Sequence, residues 1–239
     1  MAPCLNTRVT EPNSPHWWLL QSGPGEPAYN MALDEALLET AAQAGQPVLR
    51  FYGWTVAAAT FGYSQKFAEV ERLTKLRPLI RRPTGGGLVP HDADWTYSLI
   101  CPPVHEWYGL KAVASYQRVH EWLRAAFARW QTPTELSPCC VEAGPGQCFI
   151  GAEQFDLLCQ GRKIAGAAQR RNRDGLLIQG SVQPPPGLAK ADWQQAMCDV
   201  AAEQWQIKWE VFEPATWLLE RAEALAREKY SQALHNQRR

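Results

Sequence analysis

The residue types best suited to small-molecule chemistry in this 239-residue chain lie at positions 79–101, in the run LIRRPTGGGLVPHDADWTYSLIC. Two arginines precede three consecutive glycines, and His91 and Asp92 follow them. Three glycines lose side-chain packing, but they let the main chain approach a ligand closely. A simple hairpin turn needs one or two glycines and neither flanking pair. We therefore expect a small-molecule site here.

This glycine loop fits neither of the common phosphate-binding patterns. A P-loop requires GxxxxGK[ST], and a dinucleotide-binding turn requires GxGxxG at the start of a helix. Here the three glycines are contiguous, and Pro90 opposes a helix directly after them. Residues 95–101 alternate between two sets of side chains, which predicts a strand instead.

Two further residues have chemically active side chains on predicted strands. Lys163 lies between apolar neighbours, from which its ammonium can donate a hydrogen bond into a pocket. The alternative is an edge-strand lysine that opposes aggregation. Cys148 follows the Gly-Pro-Gly run at 144–146 and opens a strand that leads toward Lys163. The other six cysteines are expected to be small buried residues.

The elements that must position these residues are helices and strands without a regular βαβ rhythm. Apolar periodicity predicts helices over 27–44, 110–130, 189–205 and 214–234, with Gly45 ending the first one. Strands are predicted at 17–20, 48–52, 56–61 and 149–183, the last interrupted at 160–161 and 172–175, whereas 132–146 reads as a loop. Asp34 and Glu35 are interpreted as first-turn acids that the helix dipole favours. An α+β fold follows, with a mixed sheet flanked by helices.

Composition restricts the function classes. The chain is 46% hydrophobic and its formal net charge is zero, so a large core is expected and neither nucleic acid nor membrane is predicted as a partner. Seven cysteines without CxxC pairs favour a reducing, cytoplasmic location. Residues 1–15 are polar and predicted to be a loose arm without the apolar core of a signal peptide. Residues 16–239 are predicted to form a single catalytic domain, with C-terminal helices from about 189.

The glycine-loop motif resembles that of the lipoate–protein ligases and related octanoyltransferases, whose signature runs Arg-Arg-x-Thr-Gly-Gly-Gly, a small residue, Val, an aromatic residue and His-Asp. The resemblance covers roughly residues 17–184. It implies the fold of the biotin and lipoate ligases, related to class II aminoacyl-tRNA synthetases, with a central, largely antiparallel mixed sheet. It implies substrate-binding roles for the matching residues of this motif, which are Arg81, Arg82, Thr84, Gly85, Gly86, Gly87, His91 and Asp92.

A second motif of the same family matches residues 161–169 and implies that Lys163 is catalytic. Substrate binding is likewise implied for Gly166 and Ala167, for Arg50 on an earlier strand, and for Gln179, where the family usually has histidine. The ligase-like octanoyltransferases carry a Cys-Phe pair shortly before the lysine, and Cys148 and Phe149 match it. The resemblance therefore implies that Cys148 is the nucleophile.

The function that this resemblance implies is octanoyl transfer from octanoyl-acyl carrier protein, through a cysteine thioester, to a lysine of lipoyl domains or glycine-cleavage H protein. The alternatives are an ATP-dependent lipoate–protein ligase, an amidotransferase that uses H protein as donor, and a non-catalytic lipoyl-domain binder. No cofactor is expected, and ATP with magnesium would be needed only by the ligase. The chain also looks too short for the extra C-terminal domain of many ligases.

Two smaller expectations concern surface chemistry. A metal site at Cys139 and Cys140 is not expected, since adjacent residues seldom both ligate and no histidine is near them in the sequence. A basic strip is predicted either to dock an acidic carrier or lipoyl domain or to be merely solvated. Its members are Arg162, Lys163, Arg170, Arg171 and Arg173.

Overall fold

A mixed eight-stranded sheet is the centre of the computed structural model, which describes residues 15–140, 151–185 and 187–238. In chain order the strands are β1 (His16–Gly25), β2 (Val48–Trp54), β3 (Ala58–Phe61), β4 (Leu79–Arg81), β5 (Val89–His91), β6 (Trp95–Cys101), β7 (Thr134–Leu136), β8 (Leu157–Cys159), β9 (Arg162–Asn172), β10 (Gly175–Val182) and β11 (Lys208–Val211). The large sheet has the order β11-β1-β2-β6-β10-β9-β8-β7. Only the β11–β1 and β1–β2 pairs of this sheet are parallel, so the predicted largely antiparallel arrangement is confirmed.

Helices cover both faces of the large sheet. They are α1 (Pro27–Glu39), α2 (Ala41–Ala44), α3 (Phe67–Leu73), α4 (Glu106–Gly109), α5 (Ala112–Ala128), α6 (Lys190–Trp205), α7 (Thr216–Leu225) and α8 (Ala233–Asn236), with a π-helical segment (Ala226–Tyr230) after α7. Helices α1 and α7 pack on one face, and α5 and α6 pack on the other. None of the helices in the described ranges is long and apolar enough to cross a membrane.

Strand β6 shows how the sequence produces these two layers. Trp95, Tyr97 and Leu99 belong to the core under α5 and α6. Thr96 and Ser98 alternate with them and turn toward α1, because successive side chains of a strand point to opposite faces. The strand is buried along its whole length, so it lies in the middle of the sheet with both faces covered.

A small sheet of order β4-β3-β5 holds the glycine loop against the large sheet. Its core includes Phe61, Val70 of α3 and Leu88. Glycine is needed at one position in the loop and at one position that contacts it. Gly86 has a φ of 80°, which favours glycine, and a Cβ at Gly62 would overlap the Gly86 carbonyl oxygen.

The structure corrects several element predictions. Strand β7 lies inside the predicted loop at 132–146, and β5 and β11 were not predicted. The predicted 214–234 helix is divided among α7, the π-helical segment and α8. The breaks at 160–161 and 172–175 are confirmed, and Gly45 ends α2 with a φ of 68°. Residues 1–14 of the predicted arm lie outside the described residues.

Candidate active site

A cavity lies between the small sheet, α1 and the paired strands β9 and β10, and it contains about 470 Å³ of empty space, part of it open to solvent. Its apolar wall includes Met31, Val89 and Ala168. In the β9–β10 register, Gly166 faces Ser181 and Ala168 faces Gln179. Alternate residues share a face of a strand, so these pairs form consecutive steps along one wall.

At one end of the cavity, Lys163 is fixed by a buried carboxylate. The Lys163 Nζ lies 2.7 Å from Oδ2 of Asp156, and the two side chains are 7% and 0% exposed. Asp156 also accepts hydrogen bonds from the Glu153 backbone N–H, at 2.6 Å, and from the Tyr116 hydroxyl. We call Lys163, Asp156, Tyr116 and Gly166 the Lys163 end. An ammonium anchored in this way can stabilise negative charge that develops on an acyl oxygen.

Gly166 leaves the space that the Lys163 side chain occupies. A Cβ at this position would lie 2.8 Å from Lys163 Cε, closer than real Cβ contacts, and 3.1 Å from Asp156 Oδ1, which is a tight contact. The glycine of the second motif therefore lets the lysine lie close to the strand in its observed position.

Two neutral side chains, Tyr116 and His120, pack beside the Lys163–Asp156 ion pair. Burial, together with the Asp156 charge, raises the pKa of Tyr116, so the phenol keeps the proton that it donates. Burial also lowers the pKa of His120 to about 4. The His120 ring packs against Tyr116 at 4.3 Å between centroids, and its Nδ1 lies 2.9 Å from the Tyr116 carbonyl oxygen. His120 is thus a neutral packing residue at pH 7.

At the other end, the amide of Gln179 links the glycine-loop segment to a buried charge network. Its Oε1 accepts the Thr84 hydroxyl at 2.7 Å, and its Nε2 donates to Asp34 Oδ2 at 2.7 Å. Asp34 is ion-paired with Arg50 at 2.7 Å, and both side chains are at most 1% exposed. We call Gln179, Thr84, Asp34 and Arg50 the Gln179 end.

The position of Asp34 corrects its interpretation as a first-turn acid. It lies in the middle of α1, facing the sheet, where the Ser98 hydroxyl donates to it at 2.7 Å and the Tyr52 hydroxyl at 3.2 Å. Burial, and then the Asp34 charge, raise the pKa of Tyr52 well above its ordinary value. Four donors from three strands, β2, β6 and β10, therefore satisfy one carboxylate, and the helix dipole is not its main partner.

The two adjacent arginines of the first motif, Arg81 and Arg82, bind different parts of the structure. Arg82 lines the cavity and donates to the carbonyl oxygens of Gly85, at 2.6 and 3.0 Å, and Gly87, at 2.8 Å. Arg81 is fully buried and points away, toward α8, where Nη2 donates to the Asn236 carbonyl at 3.0 Å. Arg82 shapes the glycine loop, whereas Arg81 fastens the C-terminal helix to the small sheet.

The acid that accompanies His91 is Asp94. The His91 Nδ1 lies 2.8 Å from Asp94 Oδ2, and its Nε2 lies 2.8 Å from the Thr60 hydroxyl. The ring stacks on Trp54 with 3.9 Å between centroids. Asp92, the predicted substrate-binding residue, is exposed and turned away. Sequence reasoning missed Asp94 because it took the acid adjacent to the histidine.

The predicted site residues divide into two groups. The cavity wall contains Arg82, His91, Lys163, Gly166, Ala167 and Gln179. The remaining described ones are not part of that wall, namely Arg50, Arg81, Thr84, Gly85, Gly86, Gly87 and Asp92. Cys148 and Phe149 lie outside the described residues. Sequence reasoning also missed Asp156, Tyr116 and Thr60, which reach the site through tertiary contacts.

Two surface expectations change. The basic strip is not one face, because Lys163 turns into the cavity while Arg170 and Arg171 donate to the carbonyls of Pro83 and Tyr108 respectively. Cys139 and Cys140 are exposed rather than buried.

Comparison with known proteins agrees with this architecture. The model of the lipoyl protein ligase A/B catalytic domain matches residues 26–190. The chain belongs to this family. The predicted resemblance is confirmed, and both motifs of this lipoyl ligase family lie inside the matched range.

Curated relatives within the family are octanoyltransferases. Octanoyltransferase LipM of Macrococcus caseolyticus is 35% identical over 179 residues, covering 70% of this chain and 65% of that protein. LipM of Bacillus subtilis is 36% identical over 180 residues, covering 70% of this chain and 64% of its own length. The match therefore spans less than two thirds of the length of these relatives.

Solved structures of the family share the fold. A putative lipoate protein ligase from T. acidophilum has a TM-score of 0.79 and 19% identity, covering 94% of this chain and 100% of its own. Lipoate-protein ligase A bound with ATP has a TM-score of 0.78 and 19% identity, with 93% and 98% coverage. The predicted α+β fold of the lipoate ligases is confirmed.

Proposed function

We propose that this chain is an octanoyltransferase that moves an octanoyl group from octanoyl-acyl carrier protein to a lysine of lipoyl domains or of glycine-cleavage H protein. The observation that carries the proposal is the buried Lys163 ammonium in the cavity wall, held by Asp156 in a chain whose curated relatives are octanoyltransferases. We place the reaction in the cytoplasm, in keeping with the free thiols of Cys101, Cys139, Cys140, Cys159 and Cys198.

The proposed chemistry uses two successive acyl transfers. The thiolate of Cys148 attacks the thioester carbonyl, the carrier thiol leaves, and an acyl-enzyme forms. Lys163 donates to the oxyanion in each step. An acceptor lysine then attacks the acyl-enzyme and forms an amide, with Cys148 as the leaving group. A thioester is already activated, so this route requires neither ATP nor magnesium.

The role of Cys148 rests on the family resemblance, and intact mass spectrometry tests it. We expect incubation with octanoyl-acyl carrier protein, without ATP, to add one octanoyl group that hydroxylamine removes. Cys148→Ser should abolish this thioester adduct. Cys139→Ser and Cys140→Ser are the matched controls, because these thiols are exposed in the segment that leads toward Cys148; both should acylate normally.

The same assay separates the competing reactions. Free octanoate or lipoate with ATP should give little product. ATP-dependent lipoylation that survives Cys148→Ala would contradict the proposal and favour the ligase. Transfer from octanoylated H protein alone would retain the thiol chemistry and replace the donor.

A further inference from the structure

Three side chains at the cavity form a continuous hydrogen-bonded chain that the reaction described above does not use. The Thr60 hydroxyl lies 2.8 Å from His91 Nε2, and His91 Nδ1 lies 2.8 Å from Asp94 Oδ2. Thr60 and His91 line the cavity, and all three residues are at most 7% exposed. We call Thr60, His91 and Asp94 the relay.

The partners of the relay determine the direction of its hydrogen bonds. Asp94 Oδ2 accepts, so the proton of neutral His91 belongs on Nδ1. Arg82 Nη1 donates to the Thr60 oxygen at 3.3 Å, so the Thr60 hydroxyl is free to donate to Nε2. His91 therefore presents the lone pair of Nε2 toward the cavity through the threonine hydroxyl, as a base requires.

Asp94 is arranged to stabilise a protonated His91. Its Oδ2 accepts from the hydroxyls of Ser181 at 2.6 Å and Thr96 at 3.2 Å, whereas its Oδ1 is buried without a hydrogen-bond partner among the described residues. A buried carboxylate with unused acceptor capacity favours an adjacent positive charge. The stacked Trp54 holds the ring in place.

The relay lies near the Lys163 end of the cavity. Ser181, which binds Asp94, is the β10 partner of Gly166 on β9. A Cβ on Gly166 would lie 3.0 Å from Lys163 Nζ. The wall that carries the proposed oxyanion donor is thus connected to the relay through one β-bridge pair.

Acyl transfer to lysine requires a proton acceptor in this region. Lys163 is ion-paired with Asp156, and the carboxylate of Asp156 already accepts from three donors. Arg82 keeps its proton at any ordinary pH. Tyr52, also in the wall, keeps its proton because burial raises its pKa well above the ordinary value, so His91 is left as the base among the described residues of the wall.

The geometry points to Thr60, His91 and Asp94 as the proton relay of the amine-transfer step, an inference that rests on the proposed function. The acceptor lysine reaches the site as a neutral amine after releasing one proton to water. Its nitrogen attacks the acyl carbon, a C–N bond forms, and the nitrogen gives its excess proton to Thr60 Oγ1 while the Thr60 proton moves to His91 Nε2. The C–S bond then breaks, and the departing thiolate takes up the proton from the imidazolium.

The relay is tested by comparing two acyl acceptors, a lipoyl domain and hydroxylamine. Octanoyl-enzyme is prepared first and then mixed with either a lipoyl domain or hydroxylamine. The nitrogen of the hydroxylamine adduct is acidic enough to lose its proton directly to water, so that reaction needs no relay. We expect Thr60→Val and His91→Gln to slow transfer to lysine by about 100- to 10,000-fold while hydroxylamine release stays close to the original rate. Thr60→Ser keeps the hydroxyl and should retain transfer.

Each outcome bears on the relay. Equal slowing with both acceptors would show that the residues only shape the cavity, and unchanged transfer to lysine would exclude the relay as well. If the unmutated enzyme forms no acyl-enzyme, the proposed function fails separately. In that case octanoate and ATP replace octanoyl-acyl carrier protein as the acyl source, and the rate of transfer to lysine is again divided by the rate of transfer to hydroxylamine. A ratio in the Thr60 and His91 variants equal to that of the unmutated enzyme would overturn the relay.

Discussion

The two ends of the cavity use charged residues in opposite ways. At the Gln179 end, the Asp34 carboxylate receives four donors, among them Arg50 and Ser98, and it is fully buried. At the Lys163 end, a single lysine ammonium is anchored on one side by Asp156 and lines the cavity on the other. The charges of the Gln179 end stabilise the fold, whereas the Lys163 end holds a positive charge in the cavity wall, where a substrate can contact it.

This difference shows why a residue type alone does not identify a catalytic group. Arg50 and Lys163 are both buried cations that pair with a buried aspartate at 2.7 Å. Arg50 is not part of the cavity wall and shares Asp34 with Gln179, whereas Lys163 lines the cavity beside a glycine that leaves it room. We therefore expect substitutions at the Gln179 end to change stability first, and substitutions at the Lys163 end to change rate first.

The largest effect is expected from Asp34→Ala. It leaves the Arg50 guanidinium buried without its carboxylate, which typically costs about 3–5 kcal/mol in the free energy of unfolding. Glu39→Ala is the matched control, because Glu39 lies on the same helix and pairs with Arg221 at the surface; its loss should cost at most about 1 kcal/mol. Denaturant unfolding measures both. Equal losses would mean that the Gln179 end is not a structural network.

The next effect tests the other end. Lys163→Ala should reduce octanoyl transfer by about 100- to 1000-fold, the usual result of removing one oxyanion donor. Lys163→Arg should not restore the rate, because a planar guanidinium places its donors differently from an ammonium. Because Lys163→Ala also leaves the buried Asp156 carboxylate without its cation, the rate is compared under conditions in which unfolding curves show both proteins folded. Near-normal turnover of Lys163→Ala would contradict the assignment of this end as the reactive one.

The sequence motifs predicted part of this site well. Arg82, His91 and the strand with Lys163 belong to local patterns, and the structure places these three in the wall of one cavity, whereas the three glycines are not part of that wall. The acid that contacts His91 is Asp94, which the motif did not indicate, and the reason is geometric. Consecutive side chains of an extended segment point in opposite directions, so Asp92 turns outward while the chain bends and returns Asp94 to the histidine.

Other parts of the site depend on contacts that no local pattern contains. Arg81 binds the carbonyls of His235 and Asn236, which lie 154 and 155 residues away in sequence. Tyr116 reaches Asp156 from a helix 40 residues earlier. Asp156 itself lies just before β8, whose pairing with β9 contains a register shift. Positions of this kind are fixed by packing and strand register, which a single sequence does not specify.

The smallest effect is expected from adding a single methyl group at the Lys163 end, which tests how closely the rate depends on the position of the lysine. Gly166→Ala places a Cβ where it would lie 2.8 Å from Lys163 Cε, so the lysine must shift away from its position at the cavity. The end of a lysine side chain moves easily, so we expect stability to change little while transfer falls by about 10- to 100-fold, because small displacements of a catalytic group reduce rate strongly. Gly109→Ala is the control, since a Cβ there meets nothing within 4 Å and its φ is not positive. Stopped-flow acylation and thermal unfolding of the two variants decide the matter: a loss of stability without a loss of rate in Gly166→Ala would mean that the Lys163 end, like the Gln179 end, serves the fold.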